Sequence, residues 1–220
     1  MAWRPLPDEQ RFLYSQVALR LLDDLTESAP TLPAAAELEV EQDTGLWRTV
    51  DRTPAVGPSG ILTYPGLSRT ASFPQESFRR YRVKVSSVFY RPAYLREKDG
   101  VIFDRVHPYD DRNPPAEIRA RPKDVWMLPS PAYPLPGHIR VIRGVVVDGD
   151  QVPVANAEVN WQEREFSLSD ELGAFALPLR WPALKASVTI DAMDHRTGRT
   201  GEITVELPAD LSHGHLITVN

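Results

Sequence analysis

The stretch that decides the fold begins with Ile139-Arg-Val-Ile-Arg-Gly-Val-Val-Val-Asp148 and continues through Val152-Pro-Val-Ala-Asn-Ala-Glu-Val-Asn-Trp161. The first run is rich in β-branched residues, which favour strands, and the Gly149-Asp150 pair after it is typical of a tight turn. In the second run apolar and polar residues alternate from Ala157 onward, as in a strand with one buried face. The two runs therefore predict two neighbouring β-strands joined by a short turn.

The rest of the C-terminal half continues this pattern of short strands. Further strands are predicted at 166–170, 174–179, 186–192, 203–207 and 215–219. We expect Gly173 to supply the positive φ of a hairpin turn. About seven short strands with a turn every 8–12 residues is the pattern of an antiparallel β-sandwich.

The N-terminal half repeats this order of strands and turns. The corresponding segments are 17–24, 37–40, 47–50, 58–67, 81–90 and 124–128. A helix over 8–25, capped by Asp8, is the alternative for the beginning of the chain, but the repeat favours a strand at 17–22.

The whole chain is therefore predicted to be all-β, with two tandem antiparallel β-sandwich (transthyretin-like or Ig-like) domains. The first domain covers 1–129 and carries an inserted loop at about 96–123. Residues 130–137 form a linker, because the alternating prolines of Ser130-Pro-Ala-Tyr-Pro-Leu-Pro136 favour stiff extended backbone. The second domain covers 138–220.

Three motifs carry a resemblance to a known family: Arg143-Gly-Val-Val-Val-Asp148, Pro153-Val-Ala-Asn-Ala-Glu-Val159 and Ser169-Asp-Glu-Leu-Gly-Ala-Phe175. Residues 138–220 resemble the carboxypeptidase regulatory-like domain of the transthyretin-like (prealbumin-like) group, with a divergent second copy in the N-terminal half. The resemblance implies seven-stranded sandwiches that accompany enzymes, receptors and surface assemblies and contribute no catalytic residues. The chain departs from the family pattern at Ser169, where Thr is usual.

Composition restricts the function classes. The 220 residues carry a net charge of −5 without a basic stripe, which argues against nucleic acid as the main partner. The chain has no cysteine, so disulfides and thiolate metal sites are excluded. No secretory signal and no apolar run of about 20 residues is present, which predicts a cytoplasmic protein that makes no membrane contact. Export within a larger particle remains compatible with these features.

Aromatic and arginine residues between 88 and 96 are the candidate interface, since both residue types are enriched where proteins meet. The candidates are Phe89, Tyr90, Arg91, Tyr94 and Arg96. The alternative is that Phe89 belongs to the core while Tyr90 and Tyr94 cover a sheet edge.

Signals for chemistry are weak. His213 and His215 are two residues apart and would share one side of a strand, as metal ligands do, but a third ligand is needed. Asp110 and Asp111 offer oxygen ligands for Ca²⁺ without the spacing of an EF-hand. The glycines are scattered singly, so no phosphate-binding loop and no cofactor is expected.

The sequence thus predicts a non-catalytic structural or interaction protein that contributes β-sandwich surfaces to a larger protein assembly. A phage-tail-like or injection particle would suit such a chain. The alternative is a carbohydrate-binding or adhesive module, in which aromatic rings stack on sugars. A metal-dependent enzyme that uses His213, His215 and a loop carboxylate is the third hypothesis.

Overall fold

The computed structural model describes residues 14–57, 59–69, 78–110, 121–180 and 186–220, and its regular structure is almost entirely β-strand. The strands are β1 (Ala18–Asp23), β2 (Ala35–Glu41), β3 (Trp47–Val50), β4 (Ala55–Val56), β5 (Ile61–Thr63), β6 (Arg79–Ser86), β7 (Tyr90–Pro92), β8 (Val101–Val106), β9 (Lys123–Pro129), β10 (Arg140–Asp148), β11 (Glu158–Trp161), β12 (Glu165–Leu168), β13 (Ala174–Leu179), β14 (Ala186–Asp194), β15 (Arg199–Leu207) and β16 (Gly214–Val219). Two short 3-10 turns, Ala93–Arg96 and Ala209–Ser212, interrupt them. The prediction of an all-β fold is confirmed.

Seven strands of the C-terminal half form two sheets, in the orders β13-β10-β16 and β12-β11-β14-β15. Strand β10 pairs antiparallel with β13 and parallel with β16. Alternate residues of both sheets meet in one core, where Ile142, Val159, Phe175, Ile190 and Ile217 are almost completely buried. These apolar positions account for the alternation read in the sequence.

Gly173 lies in the turn between β12 and β13 and has the predicted positive φ, but these two strands belong to different sheets, so the prediction of a hairpin was wrong. The φ of Gly173 is +73°, and a Cβ at this position would overlap the carbonyl oxygen of Val146. Only glycine combines this backbone conformation with so close an approach.

The N-terminal strands form sheets in the orders β4-β5-β1-β9-β7 and β3-β2-β6-β8. The order β5-β1-β9 corresponds to β13-β10-β16, and β3-β2-β6-β8 corresponds to β12-β11-β14-β15. The repeat of segments in the sequence is thus accompanied by a repeat in the order of strands. The assignment of two tandem domains stays a prediction.

The beginning of the described chain is a strand and not a helix. In β1, Leu19 and Leu21 are buried while Arg20 between them is exposed and pairs with Asp124 at 2.7 Å. The period of two predicted at 17–22 is therefore the correct one. Asp8, the cap of the alternative helix, lies outside the described residues.

Part of the predicted insertion at 96–123 is regular structure. Residues 101–106 form β8, in which Val101, Phe103 and Val106 are buried. This alternating run was not recognised in the sequence because the residues on both sides of it are polar. The prediction of a loop at 101–106 was therefore wrong. Residues 111–120 lie outside the described residues.

Contacts group the chain into two units. Unit 1 consists of Met1–Arg20, Glu37–Lys84 and Ile102–Asp124, and unit 2 consists of Leu21–Ala36, Val85–Val101 and Val125–Asn220. The domain limits predicted from the sequence, 1–129, 130–137 and 138–220, stay a prediction.

Within unit 2 the proline-rich segment is fixed by side chains. The hydroxyl of Ser130 donates to the carbonyl of Val88 (2.6 Å), and the phenol of Tyr133 donates to Asp23 (3.1 Å). Asp23 is 1% exposed and also accepts a hydrogen bond from Tyr90. Burial and this carboxylate raise the pKa of the Tyr90 phenol above its ordinary value.

Candidate functional site

Unit 2 contains a pocket of about 320 Å³ that combines aromatic and charged side chains. We call it the Trp126 pocket. Its lining residues are Asp24, Glu27, Ala93, Arg96, Trp126, Leu128, Glu158, Phe166 and Arg180.

Strand β9 supplies the apolar floor. Trp126 and Leu128 are two residues apart on this strand and therefore share a face. Leu128 is buried, whereas Trp126 is 42% exposed, which is high for so large an apolar side chain. The pairing of Pro92 with Met127 places the turn that begins at Ala93 beside them. The result is an indole ring accessible to solvent within a concave surface.

Arg180 forms one charged wall. It follows β13, and its Nε donates to Glu165 Oε2 at 2.7 Å. Its two Nη atoms donate to the backbone carbonyl of Asp24 (2.8 Å) and to the carboxylate of Asp24 (3.1 Å). Since Glu165 is completely buried, Arg180 is the cation that compensates its charge.

The carboxyl group of Asp24 lies in a crowded negative environment. Burial raises its pKa above the ordinary value. Arg180 opposes this effect, while the neighbouring carboxylates of Glu165 and Asp23 add to it, and the pKa remains raised. The cost of burying this carboxyl group therefore outweighs the stabilisation that Arg180 gives to its ionised form.

Arg96 and Glu158 also line the pocket. Arg96 Nη1 donates to Glu158 Oε2 at 2.8 Å, and Arg96 Nε lies 3.6 Å from Glu97. His195 Nε2 is 3.2 Å from the same oxygen of Glu158, but the two atoms are not aligned for a hydrogen bond. The carboxylate of Glu158 is thus oriented by Arg96.

Glu27 lies at the rim of the pocket. Its backbone amide donates to Asp23 O at 2.8 Å, which fixes the turn, and its side chain is exposed. Among the described residues its carboxylate forms no ion pair. Glu27 is therefore the lining carboxylate available to a cation from outside.

Two of the interface residues predicted from the sequence are turned inward. Tyr90 is 1% exposed, and its phenol donates to Asp23 at 2.7 Å. Arg91 is buried as well, where it binds Glu171 at 2.7 Å and the side-chain oxygen of Asn156. Both side chains contribute to the internal cohesion of unit 2.

The other three candidates differ in position. Phe89 is half-buried, and its carbonyl accepts a hydrogen bond from the amide of Ser130. The phenol oxygen of Tyr94 accepts a hydrogen bond from the amide of Val85 at 2.7 Å. Arg96 lines the Trp126 pocket. For all five residues, contact with a partner protein stays a prediction.

Sequence reasoning did not identify Trp126, Phe166 or Arg180 as members of a site. The alternation in Asp124-Val-Trp-Met-Leu128 carried a signal, since it places Trp126 on the face opposite Val125 and Met127. The partners of Arg180 are not recognisable in this way, because Asp24 is 156 positions away in the chain.

The metal candidates that the structure describes, His213, His215 and Asp110, are not assembled into a site. His213 is exposed before β16, and His215 Nε2 lies 3.0 Å from the carbonyl of Asp210. Asp110 is exposed, and Asp111 lies outside the described residues. Across the described ranges, no group of three or more His, Cys, Asp or Glu residues is arranged to hold a metal ion.

No family model and no curated protein matches this chain. Among solved structures, a chain of the Bacillus anthracis TIE protein is similar, with 14% identity and a TM-score of 0.30. The similarity covers 94% of this chain and 33% of that one, so this chain spans about a third of that protein's length. Within the described ranges, no helix has the length and apolarity needed to cross a bilayer.

Proposed function

We propose that this chain is a non-catalytic interaction protein, which contributes β-sandwich surfaces to a larger protein assembly. The observation that carries the proposal is the exposed indole of Trp126 in a pocket walled by Arg96 and Arg180. Tryptophan and arginine are the residue types that most often dominate binding energy at protein interfaces, especially where they occupy a concave, partly desolvated patch.

The walls of the pocket are rigid before any partner arrives. Arg180 is held by three groups of the chain itself, and Arg96 is held by Glu158. Side chains fixed in this way lose little conformational entropy on binding. The same ion pairs support a non-catalytic role, because the carboxylates of Asp24, Glu158 and Glu165 bind arginines of unit 2 and thereby stabilise its fold.

Affinity capture from the cells that make this protein tests the proposal. Trp126→Ala should abolish recovery of a defined set of proteins that the wild-type chain retains. The matched control is Val88→Ala, since Val88 is 74% exposed in the same unit but does not line the pocket. Melting temperatures establish that both variants remain folded. Equal recovery by wild type and both variants would contradict the proposal.

A carbohydrate-binding or adhesive module is the second candidate, and the exposed indole ring also favours it. A flat aromatic face beside fixed polar side chains suits a sugar ring, which has apolar C–H faces and peripheral hydroxyls. A glycan array separates the two candidates. Selective retention of one oligosaccharide class, lost in Trp126→Ala, would replace the first proposal with the second.

A further inference from the structure

We infer that the Trp126 pocket receives a cationic side chain, a lysine or an arginine, presented by the partner protein. The inference rests on the proposed interaction function and specifies the chemistry of the partner at this site. Four observations on unit 2 and one on unit 1 support it.

The first observation is an excess of negative charge. Among the described residues that line the pocket, the carboxylates of Asp24, Glu27 and Glu158 outnumber the guanidiniums of Arg96 and Arg180 by three to two. Each guanidinium also has a carboxylate partner that does not line the pocket, because Arg180 binds Glu165 and Arg96 lies beside Glu97. A cationic ligand would correct this imbalance, whereas an anionic ligand would increase it.

The second observation is the position of the indole. Trp126 exposes its ring within the same pocket, and a cation above the face of a tryptophan is attracted by the negative face of the ring. Phe166, half-buried on β12, adds apolar surface against which the methylene stem of a lysine or arginine can pack. The pocket can thus bind both the charged group and the methylene stem of a lysine or arginine.

Unit 1 contains the same combination with its cation already supplied by the chain. The guanidinium of Arg82 lies 4.6 Å from the centroid of the Trp47 ring and forms an ion pair with Glu39. Tryptophan, glutamate and arginine therefore form one compact group there. In the Trp126 pocket Arg96 and Arg180 are held by carboxylates of the chain, and among the described residues no cation lies over the Trp126 ring. We assign the cation over this ring to the partner.

The pKa of Asp24 agrees with this assignment. It is raised by burial and by the neighbouring carboxylates of Glu165 and Asp23, in spite of Arg180. A cation that enters the pocket would stabilise the ionised form of Asp24 and thereby gain binding energy.

The size of the pocket permits a lysine or arginine side chain. Its volume of about 320 Å³ lies within the range for small-molecule sites, roughly 300–1,000 Å³. A single side chain from a partner therefore has room to enter.

Nuclear magnetic resonance of the five tryptophan indole N–H groups tests the inference on the full chain. The probes are the N-acetyl methylamides of arginine, lysine and norleucine, with maltotriose as a neutral sugar. Trp126→Phe assigns the Trp126 signal. We expect the arginine and lysine probes to shift this signal in a saturable way and the other two to leave it unchanged. Equal shifts by norleucine or by maltotriose would overturn the inference.

Charge variants provide a second measurement. Glu27→Gln should lower the affinity for the arginine probe about threefold, as expected for the loss of one exposed charge contact. The control is Glu202→Gln, because Glu202 is exposed on β15 and does not line the pocket. If Glu27→Gln binds the probe as the wild type does, the cation assignment is wrong. Partner capture that still requires Trp126 would then leave the proposed function intact.

Discussion

Arg180 and Glu165 show how much of unit 2 depends on individual ion pairs. Glu165 is 0% exposed, and Arg180 meets it with both a side-chain and a backbone hydrogen bond. Removal of a partner from a buried pair leaves an uncompensated charge, which costs much more than the pair itself contributes. The arginine is therefore structural as well as a wall of the pocket.

We expect Arg180→Met to lower the free energy of unfolding by about 3–5 kcal/mol, because the buried Glu165 then loses its cation. Urea unfolding monitored by fluorescence measures the change. The double variant Arg180→Met/Glu165→Leu should recover part of the loss, since Glu165 no longer needs a cation while Asp24 still lacks Arg180. A single variant as stable as the wild type would show that Glu165 does not need this cation.

Alanine substitutions at two glycines distinguish destabilisation by steric overlap from destabilisation by backbone strain. Gly173 and Gly198 have φ values of +73° and +77°. A Cβ at Gly173 would overlap Val146 O, whereas a Cβ at Gly198 would have nothing within 4 Å. Gly198→Ala should therefore cost only the strain, about 1–2 kcal/mol, and Gly173→Ala distinctly more. Equal melting temperatures for the two variants would contradict the close approach at Gly173.

Single residues were the hardest to place from the sequence. Tyr90 and Arg91 have the composition of an interface, but their partners Asp23 and Glu171 lie 67 and 80 positions away in the chain. Nothing in a local pattern shows that such a partner will satisfy a polar side chain inside the fold. The alternation of β9 indicated an outward Trp126, but the concave surroundings of that ring depend on β12 and β13.

At the scale of elements, prediction succeeded where one face of a strand is buried. The run of β14 was recognisable because its apolar residues face a core at every second position. β10 was recognisable because it is rich in β-branched residues. β8 was missed because it lies among the polar residues of 96–123. Strand length was not the obstacle, since β3 and β11, with four residues each, were predicted and β8, with six, was not.

The hairpin between β14 and β15 contains an acid-sensitive carboxylate. Burial acts to raise the pKa of Asp194, but hydrogen bonds from Thr197 and Arg199 outweigh it, so the pKa lies below its ordinary value of 3.8. A group with a lowered pKa in the folded state stabilises the fold above its unfolded pKa, and this contribution disappears as the pH falls through the folded pKa.

We therefore expect the melting temperature to fall as the pH is lowered below about 4, with Asp194 contributing to the loss. Asp194→Asn should be less stable than the wild type at pH 7 and should show a smaller loss on acidification. Asp191→Asn is the control, since Asp191 is exposed on the same strand. Parallel pH profiles for the wild type and Asp194→Asn would contradict the role given to this carboxylate.

At the scale of the whole chain, the strand orders of the two halves correspond, as do the segments of the sequence that repeat. The sequence carries this information because the same succession of strands and turns recurs in both halves. No sequence pattern of this kind indicates the pocket, since its residues come from six separate stretches of the chain. Fold class was therefore predictable and the composition of the pocket was not.

Hydroxyl-radical footprinting of the purified complex measures whether Trp126 contacts the partner protein. Phe78, which is 57% exposed in unit 1, serves as the internal reference. We expect complex formation to protect Trp126 from oxidation severalfold and to leave the oxidation of Phe78 unchanged. Oxidation of Trp126 at the same rate in the free chain and in the complex would contradict this expectation.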